Sequence, residues 1–297
     1  MGVFLGADGG ASKLMLCLSV SGARHYCKLQ KGVNPFVSGR GSSVSTIIEA
    51  MKDCCARNGV GESEVDGIFA GIAGATEKDY KSELKAALEK TFPNAACGVS
   101  HDGENIIYAA FPSSDGAIII CGTGSSCFVH KGGEIFRIGG YGKFDIEGNG
   151  CEIGKRAIAH TLKSYDGRAE RSVLCEKVEQ LAGGNCLEKL DELISLPVKD
   201  VASFAKAVFD SARAGDCAAL EIIDSSARFL ASYADAASRY FEGGFDICTA
   251  GSIGTDGIML SAITKYAPSR ARIFALGTEP VEGALVKAER LYYGRKH

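Results

Sequence analysis

One pattern occurs twice in this chain and limits what it can fold into. A short apolar run meets a glycine turn, a second apolar run follows at once, and another glycine turn leads into a third run. In the first copy the runs are residues 2–7, 14–20 and 24–29, joined through Asp8-Gly9-Gly10-Ala11-Ser12-Lys13 and Ser21-Gly22-Ala23. In the second they are residues 117–121, 126–130 and 134–138, joined through Gly122-Thr123-Gly124-Ser125 and Lys131-Gly132-Gly133. Runs of this length broken by glycine read as antiparallel strands joined by tight turns. Each copy is therefore a three-stranded meander, and the recurrence is most economically an internal duplication of architecture. Pro112-Ser113-Ser114-Asp115-Gly116 marks the seam between the halves.

The remainder alternates helix and strand. Val44, Ile47, Ile48 and Met51 have helical spacing within residues 42–57, which end at Asn58-Gly59. A strand over 66–73, a helix over 77–91, a strand over 95–100 and a helix from Gly103 through Phe111 complete the first half. In the second half a helix over 151–164 follows Gly139-Gly140-Tyr141-Gly142, and residues 171–241 read as nearly all helical. Strands over 245–250 and 271–276, a helix over 256–266 and a last helix over 280–293 close the chain, with Pro280 suited to a first helical turn.

Composition removes several function classes. A hydrophobic share of 46% over 297 residues supports a sizeable globular core rather than disorder. A net charge of -3 provides no basic field for nucleic acid, and Arg295-Lys296-His297 reads as a solvated tail. No apolar run is long enough to cross a bilayer, and the first residues lack a signal-peptide pattern. The twelve cysteines include no Cys-x-x-Cys pair and no histidine at ligand spacing, so they read as reduced thiols in a cytoplasmic protein, with Cys17, Cys121 and Cys248 as small buried hydrophobes.

Chemistry concentrates at the glycine turns and at one carboxylate. Glycine lets the backbone approach an anion, so the two turns can hold phosphates through Gly9, Gly10, Ala11, Ser12, Gly122 and Gly124, with hydroxyl donors at Thr123 and Ser125. Lys13 can reach a phosphate oxygen, and Asp8 can hold magnesium through water. Either turn alone could be an ordinary hairpin; the pairing of two favours phosphate. Asp102 lies just past a strand end, where sheets commonly place chemistry, which favours a catalytic role over the plainer one of capping the helix behind it. Gly154-Lys155 is not a P-loop, because no glycine has the upstream spacing and Arg156 stands where the Ser or Thr would be. No Gly-x-Gly-x-x-Gly opens a helix after a strand, which argues against a dinucleotide fold.

Taken together, these motifs resemble the sugar kinase, heat-shock protein and actin superfamily, and more closely the N-acetylglucosamine kinase and BadF-type ATPase family. Residues 6–13 are similar to the first phosphate motif, Gly122-Thr123-Gly124-Ser125 to the second, and Ala250-Gly251-Ser252 to the adenosine motif. The resemblance implies an α/β chain of two actin-like (ribonuclease H-like) domains, 1–114 and 115–278, with a nucleotide cleft between them that closes by domain motion. It implies that a last helix, about 279–297, packs back on the first domain, and that the protein is a homodimer using ATP and Mg2+. Asp102 then corresponds to the base that takes the proton from a sugar hydroxyl. Asn34, Gly74, Thr123, Gly140, Tyr141, Asp145 and Glu147 match positions that the family uses around the sugar, most simply the 6-hydroxyl of N-acetylglucosamine, N-acetylmuramic acid or glucosamine. The sugar loop departs from the family pattern, since Asp145-Ile146-Glu147-Gly148 puts Ile146 where an aspartate is usual. Asp145 substitutes for it, or the sugar differs. Ala11 is a milder departure.

A second member class of the same fold family, ATPases that activate a partner enzyme through an iron-sulfur cluster, is the alternative. It would require cysteines at a subunit surface, and only Cys127 and Cys151 lie near a plausible place.

Overall fold

In the computed structural model, residues 2–75 and 78–295 are described. The expected start at Glu77 of the helix over 77–91, and Lys296 and His297 of the expected tail, lie outside them. The chain forms two compact units, one of residues 1–114 with 276–297, the other of residues 115–275.

The first unit begins with β1 (Val3–Gly9), β2 (Leu14–Val20) and β3 (Ala23–Leu29), then α1 (Pro35–Ser38), α2 (Arg40–Arg57), β4 (Gly67–Ile72), α3 (Lys78–Thr91), β5 (Ala96–Ser100) and α4 (Gly103–Ala110). The second contains β6 (Gly116–Cys121), β7 (Ser125–Lys131), β8 (Glu134–Ile138), α5 (Gly150–Tyr165), α6 (Val173–Ala182), α7 (Leu190–Ile194), α8 (Val198–Ser203), α9 (Ala205–Arg213), α10 (Cys217–Ser238), β9 (Phe245–Ala250), α11 (Gly251–Gly254), α12 (Gly257–Tyr266) and β10 (Ala271–Ala275). The last helix, α13 (Pro280–Gly294), returns to the first unit.

Both sheets have five strands and one topology. The first runs β3-β2-β1-β4-β5 and the second β8-β7-β6-β9-β10. In each, the meander is antiparallel and the fourth and fifth strands add in parallel beside the first. The repeated meander seen in the sequence is thus the opening of a repeated sheet, and the mixed α/β class holds.

Strand periodicity sorts the side chains of the first sheet between two faces. Leu5, Ala7, Leu14, Leu16, Leu18, Ile68, Ala70 and Ile72 pack with Ile47 and Met51 of α2 and Leu84 and Leu88 of α3. Phe4, Cys17 and Phe69, one step out of phase, pack with Val281, Ala284, Leu285 and Ala288 of α13. Burying Leu285 alone contributes about 2 kcal/mol. In the second unit β6 and β7 share one large core with α5, α6, α9 and α10. Twelve cysteines are unpaired, and Cys17, Cys121 and Cys248 are buried as expected. Among the described residues no helix is long and apolar enough to cross a membrane.

The helix expected over 256–266 starts one residue later. Asp256 is its N-cap instead, its Oδ1 accepting from the Ile258 N–H at 2.9 Å, and α11 occupies Gly251–Gly254 before it.

Candidate active site

Asp8 is the next-to-last residue of β1, where the strand enters the first glycine hairpin. That turn is closed by the Gly10 N–H donating to the Lys13 carbonyl at 2.9 Å, and it is anchored from behind by the Val33 N–H on the Gly10 carbonyl. Ala11, Ser12 and Lys13 are exposed at its tip. Burial pushes the Asp8 carboxyl up to about 6; the negative charges of Asp102 and Glu279 add to this, while an Asn105 hydrogen bond and the Lys13 charge oppose it. Among the described residues only its Oδ1 is held, by Asn105 Nδ2 at 2.7 Å. A carboxylate with one oxygen fixed and the other without a partner among the described residues fits magnesium, which keeps most of its waters and takes one or two carboxylates beside substrate phosphates.

Asp102 opens α4 directly after β5. The capping explanation for it fails: its backbone is already helical, at φ -60° and ψ -25°, and its side chain makes no cap hydrogen bond. The second and third N–H groups of the helix are used by backbone carbonyls, Glu104 on His101 and Asn105 on Asp102, each at 3.1 Å. Burial raises the Asp102 carboxyl above its ordinary value, against the pull of His101 and of the nearby Asp102 and Gly103 N–H groups. A partly buried carboxylate of raised basicity, not consumed by its own helix, is suited to take a proton. Asn34 and Gly74 meet in the same unit, since a Cβ on Gly74 would lie 2.7 Å from Asn34 Oδ1. Asn34 also caps α1, its Oδ1 accepting from the Phe36 N–H at 2.9 Å.

In the second unit the glycine hairpin and the third motif line one cavity of about 480 Å3. Gly122, Thr123 and Ser252 contribute to it together with Gly150, Ile253 and Asp256, and the α8–α9 segment closes it with Lys199, Lys206, Phe209, Asp210 and Arg213. The volume lies in the range of small-molecule sites. Gly251 is constrained twice here: its φ is +84°, and a Cβ would overlap the Cys121 carbonyl. Arg213 pairs with Asp256 and reaches Asp210 at 3.5 Å, while Lys206 pairs with Asp210. The head of α5 closes the hairpin from behind, with the Gly150 N–H on the Gly122 carbonyl at 2.8 Å. None of the α8–α9 residues was marked by a motif, because they sit in a stretch whose only signal is helical periodicity.

Ser125 departs from its expected use. It is the first residue of β7, buried, and its hydroxyl donates to the Glu147 carbonyl at 3.2 Å instead of standing free for a phosphate. Gly124 and Thr123 remain exposed at the hairpin tip.

The loop from Gly139 to Gly148 is organised by Asp145. Its Oδ2 accepts from the Gly140 N–H at 2.6 Å and from the Tyr233 hydroxyl at 3.1 Å, so one oxygen braces the loop. Burial pushes the Tyr233 phenol up to about 12. Arg137 donates to the Gly139 and Gly140 carbonyls. Tyr141 and Glu147 are exposed.

The cysteines do not suit a surface cluster. Cys127 and Cys151 are buried in the second unit, and among the described residues no group of three or more His, Cys, Asp or Glu could hold a metal ion.

Two sheets of one topology, each opening on a glycine hairpin, with Asp8 near the end of the first strand of the first sheet, make this an α/β chain with the two-domain actin-like fold of its solved structural neighbours. The chain belongs to the BadF/BadG/BcrA/BcrD ATPase family, whose model matches residues 5–286. It is 28% identical over 232 residues, 76% of each chain, to the N-acetylmuramic acid/N-acetylglucosamine kinase of Clostridium acetobutylicum. It is 24% identical over 260 residues, 85% of each chain, to the glucosamine kinase GspK of Vibrio cholerae. A structure from Chromobacterium violaceum, solved as a candidate N-acetylglucosamine kinase, matches at a TM-score of 0.76 and 20% identity over 98% of this chain and 99% of that one.

Proposed function

We propose that this chain is an ATP-dependent kinase that phosphorylates a hydroxyl of an amino sugar, most simply the 6-hydroxyl of N-acetylglucosamine, with N-acetylmuramic acid and glucosamine as close alternatives. One observation carries the assignment: Asp102 opens a helix that it does not cap, with a carboxyl of raised basicity. The family and the named relatives agree with it.

In this reading Asp102 removes the hydroxyl proton as the sugar oxygen attacks the terminal phosphorus of ATP. The bond to the bridging oxygen breaks, ADP leaves, and the proton stays on Asp102 until solvent takes it. Gly9 to Lys13 and Gly122 to Gly124 cradle the phosphates through backbone N–H groups, with Lys13 and Thr123 adding charge and a hydroxyl. The cavity around Ser252, Phe209 and Arg213 takes the nucleoside. Asp8 would hold magnesium through water, which when bound neutralises phosphate charge. Asn34 and Gly74, with the loop carrying Gly140, Tyr141, Asp145 and Glu147, receive the sugar. A reducing cytoplasmic setting suits twelve unpaired cysteines, and a homodimer is part of the reading on family resemblance alone.

ADP release measured with ATP, Mg2+ and a panel of amino sugars tests the proposal, with Asp102→Asn as the control. At least one amino sugar should stimulate turnover, and the variant should lose about a hundredfold to ten-thousandfold while still binding ATP. No stimulation by any sugar, or wild-type turnover in the variant, overturns the reading.

A further inference from the structure

Asn105 lies on α4, three residues after Asp102, and is completely buried beside Ile106 and Ile107. A primary amide there costs free energy unless it is hydrogen-bonded, and an apolar residue would serve the helix better. Its Nδ2 faces acceptors on two strands: Asp8 Oδ1 at 2.7 Å, the Ala7 carbonyl at 3.2 Å and the Gly71 carbonyl at 3.2 Å. Two amide protons serve these three acceptors, and the bond to the carboxylate is the shortest. The amide oxygen is buried and has no partner among the described residues. The side chain is therefore oriented for what its nitrogen holds, at the expense of its oxygen.

Its surroundings fix that orientation. A Cβ on Gly71 of β4 would overlap the Asn105 amide, so the strand carries glycine where the amide passes. From the other side, a Cβ on Gly283 of α13 would overlap the Asn105 carbonyl, so α13 bears directly on this point of α4. Asn105 is wedged among β1, β4 and α13, and it ties the helix headed by Asp102 to the strand end that carries Asp8.

We propose that Asn105 is a positioning residue for Asp8. It fixes the carboxylate by one oxygen and leaves the other for metal-bound water, and Gly71 is glycine to admit it. The inference rests on the proposed nucleotide site and is independent of which sugar is the acceptor.

The test is a cycle of Gly71→Ala, Asn105→Ala and the double variant. Calorimetric titration with ATP, with and without Mg2+ and without sugar, is the readout, and each variant is melted in parallel. Each single change should weaken Mg2+-dependent binding about tenfold or more and leave Mg2+-free binding as in the wild type. The double variant should be no worse than Asn105→Ala alone, because both changes act through one amide and non-additivity marks a shared interaction. Should Asn105→Ala not fold, Asn105→Asp keeps the size, replaces the donor by an acceptor and should show the same selective loss. Losses that add, or that are equal with and without Mg2+, overturn the proposal. Additive losses would leave the kinase reading standing; preserved coupling without sugar-stimulated turnover would sink the kinase reading and leave Asn105 in its role. A wild-type protein with no Mg2+-dependent ATP binding overturns both.

Discussion

Replacing Asp8 by Asn should stabilise the protein while disabling it, and the sign follows from the surroundings of the carboxyl. Burial and the charges of Asp102 and Glu279 lift its folded value to about 6, well above its ordinary value of 3.8. An acid raised on folding contributes stability that is fully present below the unfolded value, is lost as pH rises through the folded one, and is then flat. A displacement of about two units corresponds to at most about 3 kcal/mol, and partial exposure of the carboxylate reduces this to about 1–2 kcal/mol. Asparagine keeps the acceptor for Asn105 and removes the charge. In nucleotide-free buffer Asp8→Asn should therefore melt with the wild type near pH 4 and above it by about 2–8 °C at pH 7.5, at roughly 2–4 °C per kcal/mol. The gap should open between pH 4 and pH 6. Thermal unfolding followed by circular dichroism across pH 4 to 8 measures it. Addition of Mg2+ to the ATP-bound protein should raise the wild-type midpoint further and leave that of the ATP-bound variant unchanged. A variant that melts below the wild type at pH 7.5, or a gap independent of pH, would refute the reasoning.

Two further changes probe the second unit. Gly251→Ala forces a side chain into a left-handed conformation and onto the Cys121 carbonyl; it should raise the KM for ATP at least about tenfold and destabilise by about 1–3 kcal/mol, and an unchanged KM for ATP would count against the cavity as the nucleoside site. Tyr233→Phe removes one of the two bonds that hold Asp145 Oδ2, worth about 1 kcal/mol, so steady-state kinetics should show the acceptor KM rising about fivefold with the ATP KM unchanged.

Much of the architecture was legible because it is local. The apolar runs of β1 and β2 and the glycine turns between strands are properties of neighbouring residues, and they specify a meander before any packing is known. Their repetition announced the second sheet. Asp8 and Asp102 were legible for the same reason, as carboxylates at strand ends. The uses of Ser125 and Asp145 were not, because their partners, the Glu147 carbonyl and the Tyr233 hydroxyl, arrive from 22 and 88 residues away.

The sequence by itself determined two meanders with phosphate-type hairpins and a carboxylate after the fifth strand. Tertiary structure alone decided what stands behind them. Asn105 reaches Asp8 across 97 residues, Arg213 reaches Asp256 across 43, and α13 crosses the whole chain to cover Phe4 and Phe69. In sequence, Asn105 is only a polar residue before Ile106 and Ile107, and Arg213 one cation on a helical face. Their roles depend on which surfaces burial brings together, and apolar burial is non-directional, so no local pattern encodes it.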